Sequence, residues 1–344
     1  MALLTDYYVD GDTGNDTTGD GTSGTPYATH QKAVDVIATE SSNDLVTATT
    51  QVTIHLVAGN CGTGTLLSGI TTNATYYTDT IGTTNTTLVG WDPGSPYVET
   101  NVTDDYAIRD ELNYSQYHNF QILINNNQFA NGLISTGINV TIDTGIVQGA
   151  ASLTVNNLVG IILSGTSGTS YVRKVVVNGL GSSSSGYQRH FRNNGAATVY
   201  FQNCSAISDI ATTVNMYGFQ GSAGTVTCQN CYSNADFNYN SIETVTTSSS
   251  VSTDGDPASL DSIAVSTSYF VDPLNATPQS RDFSLVASTV FSNGTVATDL
   301  SGDYTTDWFD NTISTWEIAT SSAPAVGGVV IPVIVNHLRN QGIS

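Results

Sequence analysis

The sequence predicts an all-β chain wound as a single-stranded parallel β-helix, a solenoid with an N-terminal capping helix and a C-terminal tail. Three observations predict it. One phrase recurs between Leu153 and Tyr232: Leu153-x-Val155-x-Asn157, Lys174-x-Val176-x-Asn178, Val199-x-Phe201-x-Asn203 and Val226-x-Cys228-x-Asn230. Its asparagines fall 21, 25 and 27 residues apart. That spacing fits one solenoid turn per repeat. Each phrase alternates with period 2, so Val155, Val176, Phe201 and Cys228 are expected to point inward as one internal file. Each phrase also ends on asparagine, the non-glycine residue best suited to a left-handed bend. Asn157, Asn178, Asn203 and Asn230 are therefore expected to stack as a structural ladder at one corner. Composition agrees: 11% of residues are charged and 32 are glycine, while Thr and Val favour strands and Gly and Asn favour turns.

Along the chain, Tyr7–Val9 reads as a short strand. It leads into a loop carrying Asp10, Asp12, Asp16 and Asp20 between glycines. The loop has two readings: a candidate Ca2+ site, although the EF-hand pattern with its closing Glu is not met, or a turn whose carboxylates bond local N–H groups. Thr29 is the expected N-cap of an amphipathic helix with Ala33, Val34 and Ile37 on one face. Laid over the first coil, it would shield an otherwise open end. Val52, Ile54 and Leu56 mark the first rung, and rungs follow at 87–91, 120–124 and 140–143. The stretch 91–119, rich in Asp, Tyr and Pro, reads as an excursion on the outside of the coil. Periodicity fades over 233–268.

The expected organisation is an N-terminal strand, loop and capping helix over 1–45, a β-helix with its terminal cap over 46–320, and a linker with an apolar docking tail over 321–344. In the tail, Val329, Val330, Ile331, Val333, Ile334 and Val335 form an apolar run, followed by His337, Leu338 and Arg339. Strand addition to another subunit would use this segment; folding back on its own coil is the alternative.

The entry run Tyr7-Tyr8-Val9-Asp10, Thr13-Gly14-Asn15-Asp16, Thr25-Pro26-Tyr27-Ala28-Thr29 and Gln31-Lys32-Ala33-Val34 resembles the start of right-handed parallel β-helix repeat proteins of the pectate-lyase-like superfamily. Phe270-Val271-Asp272-Pro273 and Arg281-Asp282-Phe283-Ser284-Leu285 resemble that family's closing phrase, where Arg281 is structural. Thr298–Gly302 and Thr315–Ile318 resemble its final strand. The resemblance spans roughly 5–320 and implies a right-handed coil. Its end phrases carry no chemistry, so fold alone does not imply function.

Net charge is −21, with only eight Lys plus Arg. A nucleic-acid partner is not expected of so acidic a chain. No apolar run approaches the roughly 18 residues that span a bilayer. The first residues have no basic stretch followed by an apolar one, so the expectation is a chain used without ordinary secretion or one already trimmed of such a segment. Cys61, Cys204, Cys228 and Cys231 read as buried structural thiols, with Cys204 and Cys231 stacked one coil apart. The five histidines show no ligand spacing.

For catalysis, the densest acidic group is Asp104, Asp105, Asp110 and Glu111, the candidate pair of carboxylates for glycoside cleavage. Tyr97, Tyr106, Tyr114 and Tyr117 surround it and are candidate glycan-binding residues. The lyase pattern of clustered acids beside an Arg or Lys base cannot be placed, because Arg173 and Lys174 have no such cluster in the adjacent repeats. The composition and layout are similar to phage structural β-helix proteins. The expectation is therefore a virion surface protein: a capsid decoration, fibre or tail component. Its partners would be other virion proteins or further copies of itself, a trimer among them, and host polysaccharide. A tailspike-like or secreted extracellular polysaccharide lyase or hydrolase is the alternative. No cofactor other than Ca2+ is expected.

Overall fold

A computed structural model describes residues 3–43, 51–72, 77–83, 88–100, 105–125, 130–150, 158–180, 188–208, 216–233, 237–240, 244–245, 251–252, 270–273, 275–285, 300, 302–308 and 312. The chain is a parallel β-helix whose coils have three legs. The first leg stacks Asp6–Asp10, Val52–Ala58, Thr78–Ile81, Gln116–Ile124, Thr141–Gly149, Thr169–Leu180, Thr198–Gln202, Val226–Gln229 and Thr244–Val245 in that order. The three longest of these strands turn a corner and continue into the second leg. There they pair with Tyr97–Glu99 at one end and Ser205–Ser208 at the other. The third leg stacks Thr65–Leu67, Tyr106–Asp110, Asn131–Ser135, Val159–Leu163, Gln188–Asn193, Met216–Gly221 and Phe237–Asn240.

Parallel register places like positions over one another. Tyr7, Ile54, Thr80, Tyr117, Ile142, Val172, Phe201 and Cys228 form one interior file, and every member is buried. The expected file is thus right at Phe201 and Cys228 and wrong at Val176; Val155 lies outside the described residues. The residue over which Phe201 sits is Val172. Val176 pairs instead with Ile146 and Ser205 on the second leg and faces outward.

The corner between the first two legs carries left-handed residues at Asn119 (φ 51°), Thr144 (54°), Lys174 (50°), Asn203 (50°) and Asn230 (55°). Each follows a residue paired in register, so the five stack as one column. Asn203 and Asn230 are where the ladder was expected, and the Asn230 amide donates to Asn203 Oδ1 at 3.3 Å. Asn178 is not at the bend. It lies four residues further on, inside a strand, where its amide donates to Gln148 Oε1 at 2.7 Å. Asn157 lies outside the described residues.

The outer face of the second leg is apolar at Ile146, Val176, Ile207 and Tyr232, and it is covered. The cover comes from the antiparallel pair Phe270–Asp272 and Asp282–Leu285, together with Trp308. Phe283 N–H donates to Val89 O at 2.8 Å, and Arg281 donates to Asn178 Oδ1 at 2.9 Å. The closing phrase therefore straps the flank of the coil lengthwise, and Arg281 is structural as the resemblance implied.

The N-terminal helix His30–Asn43 packs on the first coil through Ala33, Val34 and Ile37. Thr29 caps it, accepting the Lys32 N–H at 3.3 Å. The stretch 91–119 is no excursion: Tyr97–Glu99 and Tyr106–Asp110 are rungs paired on both sides. The coil also continues past 233, since Phe237–Asn240, Thr244–Val245 and Val251–Ser252 extend all three legs. All four cysteines are free, buried thiols, and burial pushes Cys61 up to about 12.

Phe201 packs against the stacked pair Phe191 and Phe219, its ring tilted to both with centroids at 5.4 and 5.5 Å. Phe201→Ala is expected to cost about 3–5 kcal/mol in denaturant unfolding of the whole coil. Arg281→Ala leaves the buried Asn178 without its charged donor and is expected to cost about 2–3 kcal/mol. In limited proteolysis Arg281→Ala should expose 270–308 to cleavage before the coil, whereas Phe201→Ala should not separate the two.

Candidate functional site

The acidic and aromatic residues expected to form one site are dispersed. Asp104 lies outside the described residues. Asp105 is exposed, and its carbonyl accepts the Asn131 N–H at 2.8 Å and the Asn131 amide at 2.7 Å. Glu111 is exposed and paired with Arg109 at 3.0 Å. Asp110 points into the coil and is fully buried. There it accepts from Leu112 N–H (2.9 Å), Ser115 (3.1 Å) and Ser135 (3.3 Å). Tyr97 packs on Trp91 with centroids at 5.4 Å, Tyr106 is half-buried on the third leg, and Tyr114 occupies a left-handed turn at φ 64°. Tyr117 is interior, at 0% exposure. Asp110 and Tyr117 are thus out of reach of any polysaccharide, because the coil encloses them.

The N-terminal carboxylates also turn to separate partners. Asp10 accepts from the N–H groups of Asp12 and Thr13, both at 2.9 Å. Asp16 accepts from Ala28 and Thr29 N–H (2.8 and 3.0 Å) and from the Thr29 hydroxyl at 2.7 Å, which fixes the helix cap. Asp20 accepts from the Thr22 N–H at 3.0 Å and from the hydroxyls of Thr22 and Thr25. Bonds from Thr25 and Thr22 hold Asp20 down at about 2. These are the turn-stabilising contacts of the second reading. Among the described residues no group of three or more His, Cys, Asp or Glu side chains is placed to hold a metal ion.

What the fold does bring together is the outer face of the first leg. Strand alternation sends Tyr8, His55, His118, Asp143, Arg173, Gln202 and Gln229 to one outward file, with Ile81 between the histidines. Asp6, Asp79, Tyr171 and Tyr200 lie in the file beside it. His55 Nε2 is 2.9 Å from Asp6 Oδ1 and its ring stacks on Tyr8 at 4.7 Å. The His55 bond lowers the Asp6 carboxyl, whereas burial raises that of Asp79, 3.7 Å from His118. Lys174 Nζ is 2.9 Å from Asp143. Arg173 lies 4.3 Å from the Tyr171 centroid and 5.5 Å from that of Tyr304, and it donates to Gln202 at 3.1 Å.

Asp6, Asp79 and Asp143 each meet a base on this face, while Arg173 lies against tyrosine rings and an amide. Tyr171 and Tyr200 stack on each other at 5.3 Å and 15°, so they turn ring edges outward and offer polar contacts more than a sugar-stacking platform. Reading the histidines for metal spacing missed this face. The signal that finds it is the outward parity of the first-leg strands once their register is fixed.

Comparison with protein-family models, with curated proteins and with solved structures found no match to this chain. Among the described residues, no helix is long and apolar enough to cross a membrane.

Two buried groups give the chain a pH signature. Burial raises Asp110 from 3.8 to about 6 and lowers His30 from 6.5 to about 4. Asp110 favours the fold when protonated, so its contribution is fully present below pH 3.8 and lost as pH rises through about 6. His30 favours the fold when neutral, so its contribution is present above pH 6.5 and lost as pH falls through about 4. At about 1.4 kcal/mol per unit, each effect is about 3 kcal/mol, and they oppose each other between pH 4 and 6. Asp110→Asn removes one of them. Relative to the parent chain, its unfolding free energy should be up to about 3 kcal/mol better at pH 7 than at pH 4, as read by urea titration at both pH values.

Proposed function

We propose that this chain is a structural surface component of a virion, of the phage decoration, fibre or tail kind, attached to other subunits or to further copies of itself through 321–344. The observation that carries the reading is how the charged and polar side chains are committed. Asp110 is bonded inside the coil, Glu111 is paired with Arg109, Asp143 with Lys174, and Arg281 with the interior amide of Asn178. A coil that ties its carboxylates and cations to itself, caps its first turn and straps its flank is suited to rigidity and long service in an exposed position. The acidic composition and the apolar run Val329–Val335 fit a soluble rod with an adhesive end. Host polysaccharide, on this reading, meets the first-leg face around Tyr171, Tyr200 and Gln229, where hydroxyls and amides line up at rung spacing.

Deleting 321–344 tests the attachment. The coil is expected to keep its unfolding midpoint while particle or subunit association, read by co-sedimentation and negative-stain microscopy, is lost. Release of unsaturated or reducing ends from acidic polysaccharides, abolished by Asp105→Asn, would overturn the structural reading in favour of a lyase or hydrolase.

A further inference from the structure

The first turns of the coil have an unusual interior. Thr78 and Thr80 point inward from one strand; register sets Thr78 beneath Ser115 and Thr80 beneath Tyr117. One coil further on, the same two files continue as the apolar Val140 and Ile142. His30, at the start of the capping helix, enters this polar region from the end and places Nε2 3.4 Å from Thr80 Oγ1. Ser115 in turn donates to Asp110 at 3.1 Å. Polar side chains thus occupy neighbouring inward positions from the helix to the third leg.

Three atoms at this end of the coil have no hydrogen-bond partner within the chain, although they have essentially no accessible surface: His30 Nδ1, Thr78 Oγ1 and Thr65 Oγ1, whose neighbour Leu66 bonds Gln31 beside His30. Leaving a buried donor or acceptor unmade costs more than an average hydrogen bond returns, so native interiors rarely tolerate it. Polar cavities hold water bonded to two to four groups, whereas apolar ones stay dry. From these atoms, and from the His30 contact with Thr80 on the strand that carries Thr78, we infer that ordered water molecules occupy the first turns of the coil, bridging His30 of the capping helix to the threonine hydroxyls of the wall. The water mortars the cap to the coil, where the side chains alone leave bonds unmade.

The test uses the full chain and water itself as the probe. Thr65→Val and Thr78→Val keep side-chain shape and remove the hydroxyls. If the hydroxyls hold water, the double variant melts several degrees lower, and the long-lived water contribution to the oxygen-17 relaxation dispersion of the parent chain shrinks. A melting temperature that rises, as it must when a dry, unbonded hydroxyl becomes a methyl, overturns the inference. So does a relaxation contribution that the substitutions leave unchanged. Should the double variant fail to fold, high-resolution crystal density of the parent chain decides. Peaks within hydrogen-bond distance of His30 Nδ1 and Thr78 Oγ1 support bound water, and a featureless interior there overturns it.

Discussion

Rung-on-rung hydrogen bonding in parallel register is the constraint on which everything else in this molecule depends. A parallel strand can satisfy its backbone only if the next coil returns to the same place, and a corner can recur only if each coil bends at the same position. Side-chain contacts between successive coils span 25, 30, 29 and 27 residues, so coil length varies while register on the first leg does not. The left-handed column at Asn119, Thr144, Lys174, Asn203 and Asn230 holds that register. Only asparagine suits such a bend by itself; Thr144 and Lys174 are held there by context. Lys174 has its ammonium on Asp143 and its side chain beneath the Tyr304 ring, at 5.5 Å from the centroid.

That column also explains what was legible in the sequence. Phe201-Gln202-Asn203-Cys204 and Cys228-Gln229-Asn230-Cys231 were read correctly because both coils use asparagine at the bend, and their likeness is their register. One coil earlier the bend falls on Lys174, and looking for asparagine moved the reading four residues on, to Asn178. A shift of four would preserve inward parity along a straight strand. It does not do so across a bend: Val172 points in, the corner residue interrupts the alternation, and Val175 and Val177 point in while Val176 points out. Three consecutive buried valines are the sequence sign of a segment covered on both faces, and here they mark where the strap lies.

The site was less legible than the fold, for a related reason. Asp, Tyr and Pro between 91 and 119 suggested a solvated excursion, because polar residues are usually outside. The rule is weak where a solenoid begins. Interior files there must meet both the capping helix and the next coil, and this chain fills them with Thr78, Thr80, Ser115, Tyr117 and Asp110, all buried. Composition cannot tell an interior carboxylate from a surface one. Register can, because Asp110 sits over Leu67 and under Ser135 in one inward file.

The strap shows which part of the molecule depends on which. Coil contacts join residues some thirty positions apart, whereas Val89 N–H donates to Ser284 Oγ across 195 residues, and Arg281 reaches Asn178 across 103. Closing loops that long costs more chain entropy than closing one turn. The strap's partners, Ile146, Val176, Ile207 and Tyr232, also lie on four separate coils that have to be stacked before their side chains make one surface. The coil can therefore form on local contacts, and the strap can bind only a coil already built. Trp308, buried in the same cluster, extends this dependent layer well beyond the closing hairpin. Trp308 thus belongs to the folded body although it stands 23 residues past the end of the closing hairpin at Leu285.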